Sequence, residues 1–435
     1  MEKNIQNWSD LKFGMFITFG LYSILGEGEW VMFNKPIDKD EYSMLKERFT
    51  TEKFNASGWA KIAKEAGMKY MVFTARHHDG FSLFDSKASV GDFTSMNCAA
   101  RRDFVAEFTK ACREAGLAVG LYYSPMDWRF PGYFLPRMYM KSALQMKEQC
   151  HEQLRELLTN YGKIDILWFD GGDDYWLCHG HNLHNNLNTR PANFRENPQI
   201  SNFWEADKLD KMARELQPGI VINNRSGQRQ YGDFLTPERK IGEWNPNTPW
   251  ETCDVLAGSW GWVPDAVMRS LRDCIHLIIK IVTGGGNLLL NVGPRSDGTI
   301  EERQVLRLKE IGDWLRKYGE SVYDTKGGPL LNGSWGGTTW KENKLYIHVI
   351  DWQENEIIIP NLSSKIVEIS TLTASDLFVE KQANIIRLNV PEEDKLALDT
   401  IIVIEYELNV DKVFEDFDAN SFLQTRHLES DALIV

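Results

Sequence analysis

Ile164-Asp165-Ile166-Leu167-Trp168-Phe169-Asp170-Gly171-Gly172 is an apolar β-type run that ends in an acid followed at once by two glycines. Continuous Ile, Leu, Trp and Phe character suits a strand buried on both faces, as in a parallel sheet. The glycines let the backbone turn sharply just after Asp170. Active sites of α/β folds gather at the carboxyl ends of such strands, so this stretch reads as one that presents a carboxylate. The plainer alternative is that Asp170 caps the loop or helix that follows.

Similar runs recur on both sides: Phe13 to Gly20, Met68 to Ala75, Leu117 to Ser124, Ile220 to Asn224 and Asn287 to Val292. Amphipathic helix patterns alternate with them. In Ser57 to Ala66, Ser57 is placed to cap, and Trp59, Ile62, Ala63 and Ala66 share one face at 3.6-residue spacing; Arg102 to Ala115 and Lys141 to Thr159 read the same way. This rhythm predicts an α/β fold of parallel strands and crossover helices, closed as a (β/α)8-like, TIM-type barrel over residues 1–325. Between Arg225 and Trp262 the density of Trp, Pro, Gly and Asn signals loop, so strands five and six are expected to be short.

After the helical pattern Glu301 to Tyr318 the composition changes. Lys326-Gly327-Gly328-Pro329 is a break, and short alternating runs follow: Lys344 to Ile350, Ile357 to Ile359, Ile366 to Ile369, Ile385 to Leu388 and Thr400 to Tyr406. Those are antiparallel strand signals, and they predict a C-terminal antiparallel β-sandwich domain over residues 326–435. A short acidic tail from about Asn409 is expected to pack weakly.

The bulk properties narrow the function. A chain of 435 residues exceeds what one core usually supports, which agrees with two domains. No stretch approaches the ~20 apolar residues of a membrane-spanning helix, so no membrane partner is expected. The net charge of -13 argues against nucleic acid, whose phosphates demand clustered Lys and Arg. Fifteen tryptophans supply flat faces that suit the apolar sides of sugars as well as a large core. The six cysteines form no CxxC pair, so neither a zinc knuckle nor a disulfide framework is indicated. Met1 to Ile5 lacks the apolar core of a signal peptide, and a cytoplasmic location is the expectation.

Each strand run ends in polar or aromatic residues. The first leads to Thr18 and Glu29-Trp30, the second to His77-His78-Asp79-Gly80, the third to Tyr122-Tyr123-Ser124 and Asp127-Trp128, the fourth to Trp168 and Asp170, and the fifth to Asn223-Asn224-Arg225 and Thr236-Pro237-Glu238. Carboxylates, imidazoles, a guanidinium and indoles converging at strand ends describe a pocket for a small polyhydroxylated ligand. Glycoside cleavage needs two carboxyls, one placed rigidly to attack or to activate water and one to protonate the departing oxygen. Asp170 supplies the first and Glu238, on the loop after strand five, fits the second; Glu243 and Glu251 in the same loop region are rivals.

Two other chemistries are weaker. His77-His78 with His179, His181 and His184, the last three within Cys178 to His184, invite a zinc reading, but no Asp or Glu stands at ligand spacing in that loop and no metal is expected. Gly284-Gly285-Gly286 lacks the Lys-Ser/Thr of a phosphate loop and reads as clearance before strand seven.

Phe13-Gly14-Met15-Phe16, Glu29-Trp30, His77-His78-Asp79-Gly80-Phe81, Trp168-Phe169-Asp170-Gly171, Thr236-Pro237-Glu238 and Asn287-Leu288-Leu289-Leu290-Asn291-Val292-Gly293-Pro294, in this order, resemble the α-L-fucosidases of glycoside hydrolase family 29 over nearly the whole chain. The resemblance implies a retaining exo-glycosidase that removes terminal α-L-fucose, with no cofactor and no metal. It implies an aspartate nucleophile, matched by Asp170, and an acid/base matched by Glu238 within the Thr-Pro-Glu motif of a bacterial subgroup. The acid/base position varies among branches of the family, which leaves Glu29 and Glu251 as alternatives. Fucose contacts are implied for Glu29, Trp30, His77, His78, Tyr123, Trp168, Arg225 and Trp260. The implied partner is an oligosaccharide or glycoconjugate with terminal fucose, and homo-oligomerisation stays open.

One position departs from the pattern. Thr18 stands where such enzymes commonly carry His, and its shorter side chain puts strict fucose specificity in question more than the chemistry. A same-fold glycosidase acting on a related sugar and a non-catalytic carbohydrate-binding protein are the alternatives.

Overall fold

A computed structural model describes residues 2–136, 138–171, 203–226, 232–242, 248–330, 332–352, 356–362, 366–415 and 417. Its centre is a curled parallel sheet of β1 (Phe13–Ile17), β2 (Tyr70–Arg76), β3 (Ala118–Tyr123), β4 (Ile166–Phe169), β5 (Val221–Ile222), β6 (Glu251–Val255) and β7 (Asn287–Val292). The order across it is β5-β4-β3-β2-β1-β7-β6. Every residue of β1, β2, β4, β6 and β7 is buried, because one face lines the interior of the curl and the other carries helices. Phe16, Tyr70, Val72, Tyr122, Ile166, Trp168, Cys253 and Leu289 fill the interior, whereas Met15, Ile17, Met71, Phe73, Leu121 and Leu167 belong to the core beneath the helices.

Seven regular strands make this sheet among the described residues, not the eight expected. Residues 233–239 occupy the gap between β5 and β6 with scattered backbone hydrogen bonds. Asp233 N–H donates to Ile222 and Asn224 N–H to Phe234, while Leu235 N–H donates to Pro249, Glu251 N–H to Leu235 and Arg239 N–H to Cys253. Pro237 has no N–H to give, which prevents a regular ladder at this point. Strand five is short, as expected. Strand six is not: β6 is a buried five-residue strand in register with β7, pairing Glu251 with Asn287, where the sequence reading placed loop. Cross-strand partners, invisible in a Trp- and Pro-rich stretch, decide that outcome.

The helices that position the strands include α1 (Ala56–Glu65), α2 (Phe104–Ala115), α3 (Met140–Asn160), α4 (Ala206–Leu216), α5 (Leu271–Thr283) and α6 (Glu302–Tyr318). Asn55, not Ser57, caps α1: its side chain accepts from Gly58 N–H, and Ser57 already lies in the first turn. Asp103 caps α2 and Ser270 caps α5 in the same way. No helix among the described residues is long and apolar enough to cross a membrane.

Antiparallel strands follow: β8 (Lys326–Gly327), β9 (Gly336–Lys341), β10 (Lys344–Val349), β11 (Ile357–Pro360), β12 (Ile366–Thr371), β13 (Phe378–Lys381), β14 (Ile385–Asn389) and β15 (Thr400–Tyr406). They form a five-stranded sheet, β12-β15-β10-β9-β8, and a three-stranded sheet, β11-β14-β13. Leu345, Ile347, Ile402 and Ile404 of the first share a core with Ile357, Ile359, Ile386 and Leu388 of the second. On the other face of the larger sheet, Tyr346, Ile401 and Val403 join the core of the parallel-sheet region. Val410, Val413 and Phe414 are buried in the C-terminal core, so the tail expected from about Asn409 begins with packed residues, and its remainder from 418 onward lies outside the described residues. The chain is thus an α/β protein with additional antiparallel sheets.

Candidate active site

Asp170 leaves the carboxyl end of β4, and Gly171 follows it with φ of +71°. A Cβ on Gly171 would stand 2.5 Å from Met126 Cε, so both backbone angle and space demand glycine there. Asp170 is half-buried, and three side chains address its carboxylate. Tyr122 Oη donates to Oδ2 at 2.9 Å, Arg225 Nη1 donates to Oδ1 at 3.0 Å, and His78 Nε2 lies 3.6 Å from Oδ2.

Arg225 ties this carboxylate to a second one. Its Nη1 also donates to Glu238 Oε2 at 3.1 Å, while Nε donates to Thr236 Oγ1 at 2.8 Å and Nη2 to Thr236 O at 2.9 Å. Thr236 is held in turn by donating to Asn224 Oδ1 at 3.0 Å. Burial acts to lower the guanidinium's pKa, but the charges of Asp170 and Glu238 outweigh it and hold the group protonated. Its carbon lies 5.0 Å from the centre of the Trp168 ring, so the cation rests on an aromatic floor. Trp168 stacks on Tyr122 with centroids 5.8 Å apart.

The remaining walls come from the other strand ends. His77 and His78 lie with ring centroids 4.0 Å apart, and His77 stacks on Tyr122. Burial, then the neighbouring His78, pushes His77 well below the usual imidazole range, so its ring is neutral. His78 Nδ1 is 2.6 Å from Ser124 Oγ. Trp30 packs against His78 and Trp128 at 5.3 and 5.0 Å. Glu29 is buried and accepts from Gly261 N–H at 2.8 Å and Ser259 Oγ at 3.0 Å; burial raises its pKa against those bonds. Trp260 meets Phe16 at 5.8 Å from the β1 side.

The structure thus gathers Asp170, Glu238, Arg225, Trp168, His77, His78 and Trp30 around one site, with Glu29 and Trp260 on its β1 side. Tyr123 is not among them. It points outward, where its hydroxyl accepts from Arg76 at 3.0 Å and donates to Gln153 on α3 at 2.9 Å. Tyr122 takes its place, and strand alternation is the signal that identifies it, because Tyr122 is the register partner of Trp168 and shares its face. Glu251 lies inside the curl below Trp168, fully buried, and not on a loop. Thr18 donates to Asn291 Oδ1 at 2.7 Å, which commits its hydroxyl to β7. Glu243, Cys178, His179, His181 and His184 lie outside the described residues.

The α-L-fucosidase family model matches residues 1–320. The chain belongs to the α-L-fucosidase family. Among its relatives, the α-L-fucosidase of Dictyostelium discoideum is 27% identical over 390 residues, covering 81% of this chain and 79% of that one. The tissue α-L-fucosidase of Rattus norvegicus is 28% identical over 396 residues, covering 83% and 79%. Among solved structures, α-L-fucosidase isoenzyme 1 from Paenibacillus thiaminolyticus superposes with a TM-score of 0.79 at 32% identity, covering 93% of this chain and 99% of that one. A family 29 α-L-fucosidase from Bacteroides thetaiotaomicron, trapped as a covalent intermediate in complex with 2-fluoro-fucosyl fluoride, gives a TM-score of 0.80 at 25% identity, covering 93% and 96%. As a member of the α-L-fucosidase family, the chain is a glycoside hydrolase.

Proposed function

We propose that this α-L-fucosidase family member hydrolyses terminal α-L-fucosides of oligosaccharides or glycoconjugates with retention of configuration, on a (β/α)8-like barrel followed by a β-sandwich. The reading rests on one nitrogen. Because Arg225 Nη1 donates to both Asp170 and Glu238, the bonded oxygens can be no farther apart than the two contacts end to end, about 6 Å, which suits a retaining pair at ~5 to 5.5 Å and is short for an inverting one.

In the first half, an Asp170 oxygen forms a bond to the anomeric carbon as the bond from that carbon to the aglycone oxygen breaks. Glu238 gives its proton to that oxygen. In the second half, Glu238 takes a proton from water, the water oxygen bonds to the anomeric carbon, and Asp170 departs as carboxylate. Tyr122 and Arg225 hold the attacking carboxylate in one orientation, which is worth more than their ground-state hydrogen bonds because attack requires aligned orbitals. Neutral His77, together with His78 and Glu29, orders sugar hydroxyls, and Trp30 and Trp260 cover the apolar faces.

Replacing Asp170 with Gly is expected to abolish nearly all turnover of an aryl α-L-fucoside, and added azide to restore cleavage with a β-fucosyl azide as product. Absence of rescue moves the nucleophile elsewhere. Proton NMR of the first-formed sugar is expected to show the α-anomer; β-fucose first would remove retention. Because Thr18 gives its hydroxyl proton to Asn291 and keeps only acceptor capacity, a related sugar is the second reading, and a panel of aryl glycosides separates the two.

A further inference from the structure

Glu251 opens β6 with no exposed surface, facing the interior of the curled sheet beneath the site. Both carboxyl oxygens are engaged: Oε2 accepts from the Tyr70 hydroxyl on β2, and Oε1 accepts from the Trp168 indole Nε1 on β4 at 2.9 Å. Arg225 lies over the ring of that same indole and reaches Asp170 and Glu238. An unbroken series of contacts therefore links a buried acid to both carboxylates of the site, although Glu251 is too deep to meet a sugar.

We infer that Glu251 is a positioning residue: by gripping the Trp168 N–H it fixes the ring on which Arg225 rests, and with it the hold of Arg225 on Asp170 and Glu238. The inference deepens the reading that those two acids do the chemistry and rests on it. A buried indole N–H needs an acceptor, but a neutral one would satisfy it. A carboxylate does more. Its charge-assisted bond is shorter and stronger, and it pushes electron density into the indole, which strengthens the attraction of the ring face for the guanidinium.

The surroundings let that charge come and go. Burial raises Glu251 to about 7, against the donations of Tyr70 and Trp168. The groups facing it are Tyr70 from β2, Trp168 from β4, Asn287 across from it on β7, and Cys253 further along β6. Burial also pushes Tyr70 and Cys253 well above their usual values, so both stay neutral. Glu251 therefore changes charge near neutrality without a compensating neighbour.

The test uses the full chain and Glu251→Gln, which keeps the shape and an oxygen for Trp168 but carries no charge. Expected are a kcat lower by about 10- to 100-fold and a KM within about threefold. The indole N–H cross-peak of Trp168, assigned by its disappearance in Trp168→Phe, is expected to shift across pH 6 to 8 in the parent protein and to stay fixed in Glu251→Gln. An unmoved cross-peak in the parent overturns the inference, as does an unchanged kcat in a folded Glu251→Gln. Full activity of Asp170→Gly would instead sink the catalytic reading, while the Trp168 titration would still report the grip.

Discussion

Tyr122 donates a 2.9 Å hydrogen bond to Asp170 Oδ2 from the adjacent parallel strand, where its ring also stacks between His77 and Trp168. Burial, reinforced by the Asp170 charge, keeps the phenol protonated and therefore always a donor. A hydrogen bond to a charged group is worth ~1.5 to 3 kcal/mol, so Tyr122→Phe is expected to lower kcat/KM for an aryl fucoside by about 10- to 100-fold. Tyr123→Phe severs the outward contacts with Arg76 and Gln153 and should cost about 1 to 2 kcal/mol of stability with kcat unchanged. Steady-state kinetics and urea unfolding of the two variants check the assignment; the reverse pattern would return the site role to Tyr123.

Thr236 couples the Glu238 loop to Asp170 through Arg225. In Thr236→Val the guanidinium keeps the Thr236 carbonyl but loses the hydroxyl that orients Nε. Its Nη1 then spans the two acids less faithfully, and kcat is expected to drop by about tenfold. Arg225→Lys, which replaces a planar fork with a single ammonium, should lose about 100-fold. Circular dichroism matching the parent would confirm that both effects are local.

Lys12 is buried at the entry to β1, and burial lowers it to about 8 against the pull of Asp10 and Asp324. Between about pH 8 and 10.5 the unfolded chain binds more protons at this residue than the folded one, so the Lys12 contribution to stability rises with pH there. Below pH 8 the buried charge carries its full cost. Lys12→Met is therefore expected to raise stability at pH 7 by up to about 3 kcal/mol, with the gain fading toward pH 10.5. Thermal unfolding of parent and variant at pH 7, 9 and 10.5 measures the difference.

His348 on β10 bonds through Nδ1 to Asp399 Oδ2 at 2.7 Å, and its Nε2 lies 3.1 Å from Thr339 Oγ1, which donates to Ser321 O at 2.6 Å. All are fully buried, so this network ties the larger antiparallel sheet to the end of the helical region. Asp399→Ala strands the imidazole and is expected to cost about 2 to 3 kcal/mol, seen as an earlier first unfolding transition. Turnover measured well below that transition should match the parent.

The repeating apolar runs and the terminal acid of β4 were legible because each depends on neighbours in the chain. Asp170, Trp168, the two histidines and the Thr236-Pro237-Glu238 motif could be named on that basis and on the family likeness. β6 was hidden because Trp250, Pro249 and the polar residues around them carry a loop signal that pairing with β7 overrides. The gap beside β5 was equally hidden, since only the fold shows what residues 233–239 bridge.

The order of apolar strands and amphipathic helices, and the acid held out on a glycine turn, belong to the sequence alone, because hydrophobic period and backbone freedom are local properties. Which tyrosine of Tyr122-Tyr123 faces inward, and that Glu251 lies buried against the Trp168 indole, were decided only by the tertiary structure. A strand's alternation is written in the sequence, but which parity meets the interior depends on register with neighbouring strands. The single Arg225 nitrogen shared by Asp170 and Glu238 joins residues 55 and 13 positions away, a contact that exists only once the sheet has curled.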